Sequence, residues 1–176
     1  MRKLRMKLLY IFSAMFLILA GVLGAYSIFK TVAGHKKQLL TYEETLISQY
    51  DLRIVSEVET AYSLMNDVYE KYQSGELTEK EAKEKAINDI KALRYGDSGY
   101  FWIDDTEGIL IAHPMLPEQE GDNRINIQDP NGVYLIQNII KAATTGENNG
   151  FTVYEWEKPR VDHLVTKRAY SKLFEP

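Results

Sequence analysis

Cysteine is absent from the 176 residues, which removes disulfides, zinc–thiolate sites, iron–sulfur clusters and thioether-linked haem. Histidine is scarce: His35, His113 and His163 are the only ones. Neither a G-x-S-x-G nucleophile turn nor an H-E-x-x-H metal helix occurs, so the commonest hydrolytic chemistries lack their residues. A basic stripe is missing as well. The formal net charge is -4, and nucleic acid is excluded as the main partner because phosphate neutralisation needs clustered Lys and Arg. There is no repeat at solenoid periods and no low-complexity tract. The length suits one folded domain plus an apolar segment. Asp104, Asp105 and Glu107 lie close together, but their spacing misses the D-x-[DN]-x-[DN]-G cation loop and fits an exposed turn. No metal and no cofactor is implied, and the chain is read as a non-enzyme.

One long apolar run is present. Arg2, Lys3, Arg5 and Lys7 precede Leu8 to Phe29, a stretch without a charge that at about 1.5 Å per residue crosses about 30 Å of hydrocarbon. Residues 8–29 are therefore expected to be a transmembrane helix. Residues 1–7 are expected on the cytoplasmic side, and Lys30 onward outside the cytoplasm, although Lys30, Lys36 and Lys37 soften the charge asymmetry. The alternative, a cleaved signal peptide, has a shorter apolar core of about 7 to 15 residues.

Beyond the span, Ile47, Tyr50, Ile54, Val58, Ala61, Met65, Val68 and Tyr72 recur at steps of three and four, predicting a helix with one apolar stripe. Gln73 to Glu76 breaks it. Thr78 and Glu81 form a capping box that starts a second helix with Ala86, Ile87, Ile90 and Leu93 on one face. Tyr95 to Gly99 is a turn-rich joint. Strands are then expected over Gly99 to Asp104 and Ile109 to His113, joined by a turn in which Gly108 supplies positive φ. Met115 to Gly132 reads as a long polar loop that could cover a site, with a turn at Asp129 to Gly132. Leu135 to Ala143 is an amphipathic helix closed by Gly146. Phe151 to Glu157 alternates as a strand, Lys158-Pro159 interrupts, and Leu164 to Phe174 is a further strand or strand pair. The order gives an α+β fold with a meandering antiparallel sheet. One more strand is expected than the sequence contains.

Alternation puts Tyr100, Trp102 and Asp104 on one strand face, and Ile109, Ile111 and His113 on one face of the partner strand. A second Tyr-x-Trp pair, Tyr154 and Trp156, shares a face further on. The two pairs either fill an aromatic core or wall a cavity whose small polar ligand satisfies the phenol O–H and indole N–H groups. Arg94, His113 and Lys167 lie near the same strand ends and all donate to anions. Two or three charge-assisted hydrogen bonds from such groups, each worth about 1.5 to 3 kcal/mol, suffice for micromolar binding of a small acid. Arg94 alternatively caps the second helix, and Lys167 is alternatively solvated.

The ordered set Arg94-Tyr95, Gly99 to Ile103, His113-Pro114, Asp129 to Gly132 and Tyr154 to Trp156, with Lys167 and Tyr170 following, resembles the single Cache domains (type 2) of bacterial membrane receptors, over about Thr31 to Pro176. The resemblance implies a PAS-like antiparallel sheet on a long N-terminal helix. It implies an extracytoplasmic sensor, over residues 30–176, for acids of the acetate, propionate, lactate or pyruvate class. Output through methyl-accepting chemotaxis modules is the expected role. A histidine kinase or cyclic-dinucleotide output, or a membrane-anchored interaction domain with no small ligand, are the alternatives. Arg94, His113 and Lys167 would hold the acid, and Tyr100, Trp102, Tyr154 and Trp156 would wall it. Family members continue with a Trp- and Gly-rich strand and a second membrane helix, so the domain is expected to stop before its last strand. The long helix stripe is a plausible seam for a parallel homodimer.

Overall fold

The computed structural model describes residues 2–157 and 163–176, so the expected interruption at Lys158-Pro159 lies outside the described residues. The chain divides into two units, Met1–Tyr50 and Asp51–Pro176. Backbone hydrogen bonding carries a single helix, α1, over Arg2–Gln73. Instead of a membrane helix followed by a second one, the ladder is continuous. No proline occurs before Pro114, so nothing in this stretch removes a helical N–H or clashes with the preceding turn. In the first unit every described residue is exposed, and its apolar window is long enough to cross a membrane. Such a helix, apolar all round and unburied by protein, is a candidate membrane span.

In the second unit, Ile54, Ala61 and Val68 of α1 are the buried positions, seven residues apart, so a narrow stripe faces the core. Side chains from the far end of the chain meet α1. Arg168 forms a two-pronged ion pair with Asp51, at 2.5 and 2.6 Å. Lys172 reaches Glu59 at 2.6 Å, and the Phe174 ring packs edge-on against Tyr62. The helix α2, Glu79–Ala92, begins at the expected capping box: Thr78 and Glu81 satisfy each other's backbone N–H groups, which offsets two of the unpaired donors of the first turn.

Six strands follow: β1 Arg94–Tyr95, β2 Gly99–Tyr100, β3 Ile103–Asp104, β4 Leu110–Ala112, β5 Asn149–Glu157 and β6 Leu164–Lys172, with α3, Leu135–Thr144, between β4 and β5. They pair antiparallel as β1–β2, β3–β4 and β5–β6. The α+β order and antiparallel pairing expected from the sequence are present, and among the described residues the pairing is divided into three two-stranded ladders. Phe101 and Trp102 leave the ladder between β2 and β3, and the β3–β4 register shifts at Ile103/Asp104, as a bulge does when it bends a strand. The hairpin β1–β2 was not foreseen. At its tight turn Gly99 lies so close to Tyr95 that a Cβ would sit 2.4 Å from the ring.

The expected covering loop is far from structureless. Leu110 N–H donates to Asp122 O at 3.0 Å, Gly121 N–H to Leu110 O at 2.8 Å and Arg124 N–H to Gly108 O at 2.7 Å, so residues 121–124 lie along the free edge of β4. The later turn is tied by Asp129, whose Oδ1 accepts from Asn131 and Val133 N–H at 2.9 Å each and whose Oδ2 accepts from Glu155 N–H of β5 at 3.0 Å. Those backbone bonds, Glu155 first, hold its carboxyl below the usual carboxylate range. The main core cluster lies between α3 and the β5–β6 ladder, with Leu135, Ile136, Ile139, Tyr154 and Ala169 buried.

Because the fully buried residues of α1 recur every seven positions, Ile54→Ala, at 3% exposure, and Leu52→Ala, at 69%, should separate cleanly. Denaturant unfolding is expected to give a loss of about 2 to 5 kcal/mol for Ile54→Ala and a change within about 0.5 kcal/mol for Leu52→Ala.

Candidate functional site

A pocket of about 380 Å³, including its open mouth, lies between the β2–β4 region, the 115–127 loop, α3 and the β5–β6 ladder. Its apolar floor is Leu135, Ile136 and Ile139 from α3, joined by Leu116 and Ile127 of the loop. Its rings are Tyr100, Trp102, Tyr154 and Trp156, and its charged or polar donors are His113, Arg124 and Lys167. A lining with few polar groups on an apolar wall fits a small polar molecule.

Strand register explains the convergence. Tyr154 is paired with Lys167 and Trp156 with Val165, so the second Tyr-x-Trp and the lysine share one face of the β5–β6 ladder. The opposite face carries Phe151 and Tyr170, ring centroids 5.0 Å apart, and Arg168. Across the pocket, Lys167 Nζ donates to the Tyr100 hydroxyl at 3.2 Å. Tyr100 lies 5.1 Å from the His113 ring and 6.2 Å from Trp102 by centroid. Burial raises the Tyr100 phenol above its ordinary value, and raises that of Tyr154 strongly. Both hydroxyls are neutral donors at any physiological pH.

His113 departs from its expected face. Ile111 is 37% exposed while His113 is 5% exposed, so the two do not share a side. The reason is local: β4 ends at Ala112, and the chain turns through Pro114. The imidazole is fixed there by two backbone donors, Met115 N–H at 3.1 Å and Leu116 N–H at 3.0 Å, both to Nδ1. Backbone N–H groups only donate, so Nδ1 is the acceptor and Nε2 carries the hydrogen. Burial, assisted by the positive charges of Arg124 and Lys167, lowers the His113 pKa to about 4. The ring is a neutral hydrogen-bond donor rather than a base or a cation.

Arg94 lies outside the pocket. Its Nη1 donates to Lys91 O at 2.6 Å and Leu93 O at 2.7 Å, closing the C-terminal end of α2 as a cation at that end of a helix dipole does. The guanidinium that does line the pocket is Arg124, which sequence reasoning missed. It is delivered by the loop segment pinned along β4. Arg124 Nη2 meets Asp104 Oδ1 at 2.5 Å with side chains 7% and 4% exposed, and Trp102 Nε1 donates to Asp104 Oδ2 at 2.8 Å. Arg124 Nε is buried without a hydrogen-bond partner among the described residues. The available signal was faint: an arginine heading the alternation Arg124, Ile125, Asn126, Ile127 inside a loop already suspected of covering a site.

Comparison with known proteins agrees with this architecture. A solved structure described as the structural basis for carboxylic acid recognition by a Cache chemosensory domain superposes with a TM-score of 0.70 at 30% identity, covering 76% of this chain and 90% of that one. A periplasmic sensor domain of a chemotaxis protein gives a TM-score of 0.70 at 29% identity, covering 74% and 90%. Among curated sequences, the methyl-accepting chemotaxis protein McpP of Pseudomonas putida is 33% identical over 103 residues, 58% of this chain and 19% of its own length. The sensor histidine kinase MctS of Rhizobium johnstonii is 27% identical over 135 residues, 77% of this chain and 28% of its own length. The chain thus spans less than a third of the length of these two relatives. Residues 46–176 match the sequence family Single Cache domain 2, and with the long helix and antiparallel sheets of its structural neighbours the chain belongs to the single Cache family of sensor domains.

Proposed function

We propose that this domain senses a small carboxylic acid outside the cytoplasm and reports it across the membrane, in a receptor of the chemotaxis type. The observation that carries the reading is the set of directed donors on an otherwise apolar pocket: the Arg124 guanidinium, the Lys167 ammonium, the neutral His113 imidazole and the Tyr100 hydroxyl. A buried guanidinium N–H without an acceptor is a cost that an anionic ligand would relieve. The acid would lie against the α3 floor with its carboxylate toward Arg124 and Lys167, and the four Tyr and Trp rings would exclude water. Tyr154 and Trp156 serve as walls, while Arg94 is left out of the binding set because it does not line the pocket and its Nη1 is engaged at the end of α2. A solved neighbour described as recognising carboxylic acids supports the ligand class.

The apolar segment of residues 8–29 is read as the membrane anchor, with the basic residues before it on the cytoplasmic side. Exposed apolar residues of α1 in the first unit, such as Leu39, Leu46 and Ile47, suit a seam between two copies. Signalling follows if the acid favours one arrangement of the domain over another, since only differential affinity shifts an equilibrium. The relatives include a histidine kinase as well as chemotaxis proteins, and fusion of the domain to each output tests which it drives.

Calorimetric titration of the full chain in detergent micelles with acetate, propionate, lactate and pyruvate should give micromolar binding by at least one. At a hundredfold its dissociation constant, that acid should stabilise the protein by about 2.7 kcal/mol. Lys167→Met and Arg124→Lys should each weaken it about tenfold or more, whereas Arg94→Ala should leave it unchanged. Silence from every short acid, or wild-type affinity in Lys167→Met, would overturn the assignment.

The His113 environment sets a pH signature. A depressed folded pKa means that the unfolded chain binds a proton more readily, so the contribution of neutral His113 to stability is full above about 6.5 and is lost as pH falls toward about 4. Binding should accordingly stay level from pH 8 to about 6. An affinity that rises as pH falls through 6.5 would mean that His113 binds as a cation, against the Nδ1 geometry.

A further inference from the structure

Asp104 does not line the pocket, and the reading above gives it no part. Its carboxylate is nonetheless the buried partner of two groups that do line it: Oδ2 accepts from Trp102 Nε1 at 2.8 Å, and Oδ1 pairs with Arg124 Nη2 at 2.5 Å. The two oxygens therefore fix the indole edge and one corner of the guanidinium together. Arg124 comes from a loop with little regular structure of its own, so its direction depends on this contact and on the backbone bond from Arg124 N–H to Gly108 O. An amide or a backbone carbonyl would also accept these N–H groups. A carboxylate does one thing more, which is to balance the guanidinium charge inside the protein.

We propose that Asp104 is a positioning residue of this pocket, aiming Arg124 and Trp102, and that its charge confines the pocket to ligands with a single carboxylate. The inference rests on reading the pocket as an acid site. With Asp104 in place, Arg124 offers a ligand directed N–H groups on a charge already half committed. A second carboxylate close enough to share that guanidinium would approach a like charge at low dielectric, where repulsion is far stronger than in water. Removing the charge while keeping one acceptor should therefore admit doubly charged acids without abolishing singly charged ones.

The test compares acetate or propionate with malonate, by calorimetry on the full chain in detergent micelles. Wild type should bind the better monoacid at least about tenfold more tightly than malonate, and Asp104→Asn should shrink that ratio about tenfold or more. Asp104→Glu retains the charge and should keep the wild-type preference, which preserves a test if Asp104→Asn fails to fold. Malonate binding to wild type as tightly as the monoacid, an unchanged ratio in folded Asp104→Asn, or loss of the preference in Asp104→Glu would each overturn the proposal. Neither acid binding to wild type would instead overturn the reading of the pocket as an acid site, and a bound monoacid with an indifferent ratio overturns this inference alone.

Discussion

The buried pair between Asp104 and Arg124 is the contact on which the pocket depends. Residues 115–132 contain a single short 3-10 turn, Pro117–Gln119, and most of the rest is polar. Such a segment ordinarily stays on the surface, because a buried loop carries backbone groups that need partners. Here the partners are supplied by the edge of β4 and by the Asp129 carboxylate, and the ion pair then draws the arginine inward. Breaking one member of such a pair leaves an uncompensated charge, which typically costs about 3 to 5 kcal/mol. The loop is therefore held to the strands both by its backbone bonds to β4 and by this pair.

A second consequence of the same arrangement concerns His113 and Glu120. Glu120 accepts from His113 N–H at 2.8 Å and pairs with Lys91 of α2 at 2.7 Å. The lysine hydrogen bond, followed by the backbone bond from His113, lowers the Glu120 pKa. The corner after β4 is thus held from outside by a charged link to α2 and from inside by the imidazole accepting two backbone donors. Both devices use His113 without giving it chemistry, which is why a histidine near two aromatic rings reads as a donor and not as a base.

Much of this was legible in the sequence because it follows from local periodicity. The capping box at Thr78, the positive φ at Gly108, the turn at Gly132, the helix end at Gly146, the α3 stripe and the two Tyr-x-Trp pairs each arise from residues close together in sequence. The failures share a different cause. Arg94 takes the helix-capping alternative that its position already offered, and only the tertiary path of a polar loop brings the chemically similar Arg124 to the cavity. His113 left its expected face because alternation ends with the strand, at Ala112. The three separate ladders arise where the chain leaves pairing at Phe101 and Trp102, and no propensity marks that departure. The family resemblance supplied the fold, while the arrival of Arg124 in the pocket depended on a contact between residues 20 positions apart, Asp104 with Arg124.

The alternation along β6 has a mechanical meaning. Lys167 faces the pocket and touches Tyr100, while its neighbour Arg168 grips Asp51 of α1 from the other face. Consecutive Cα atoms are held about 3.8 Å apart across a planar peptide, so no slack lies between the residue that meets the cavity and the residue that holds the helix. One peptide of β6 therefore joins the cavity contact to the helix contact, and the ladder with β5 holds that peptide in place.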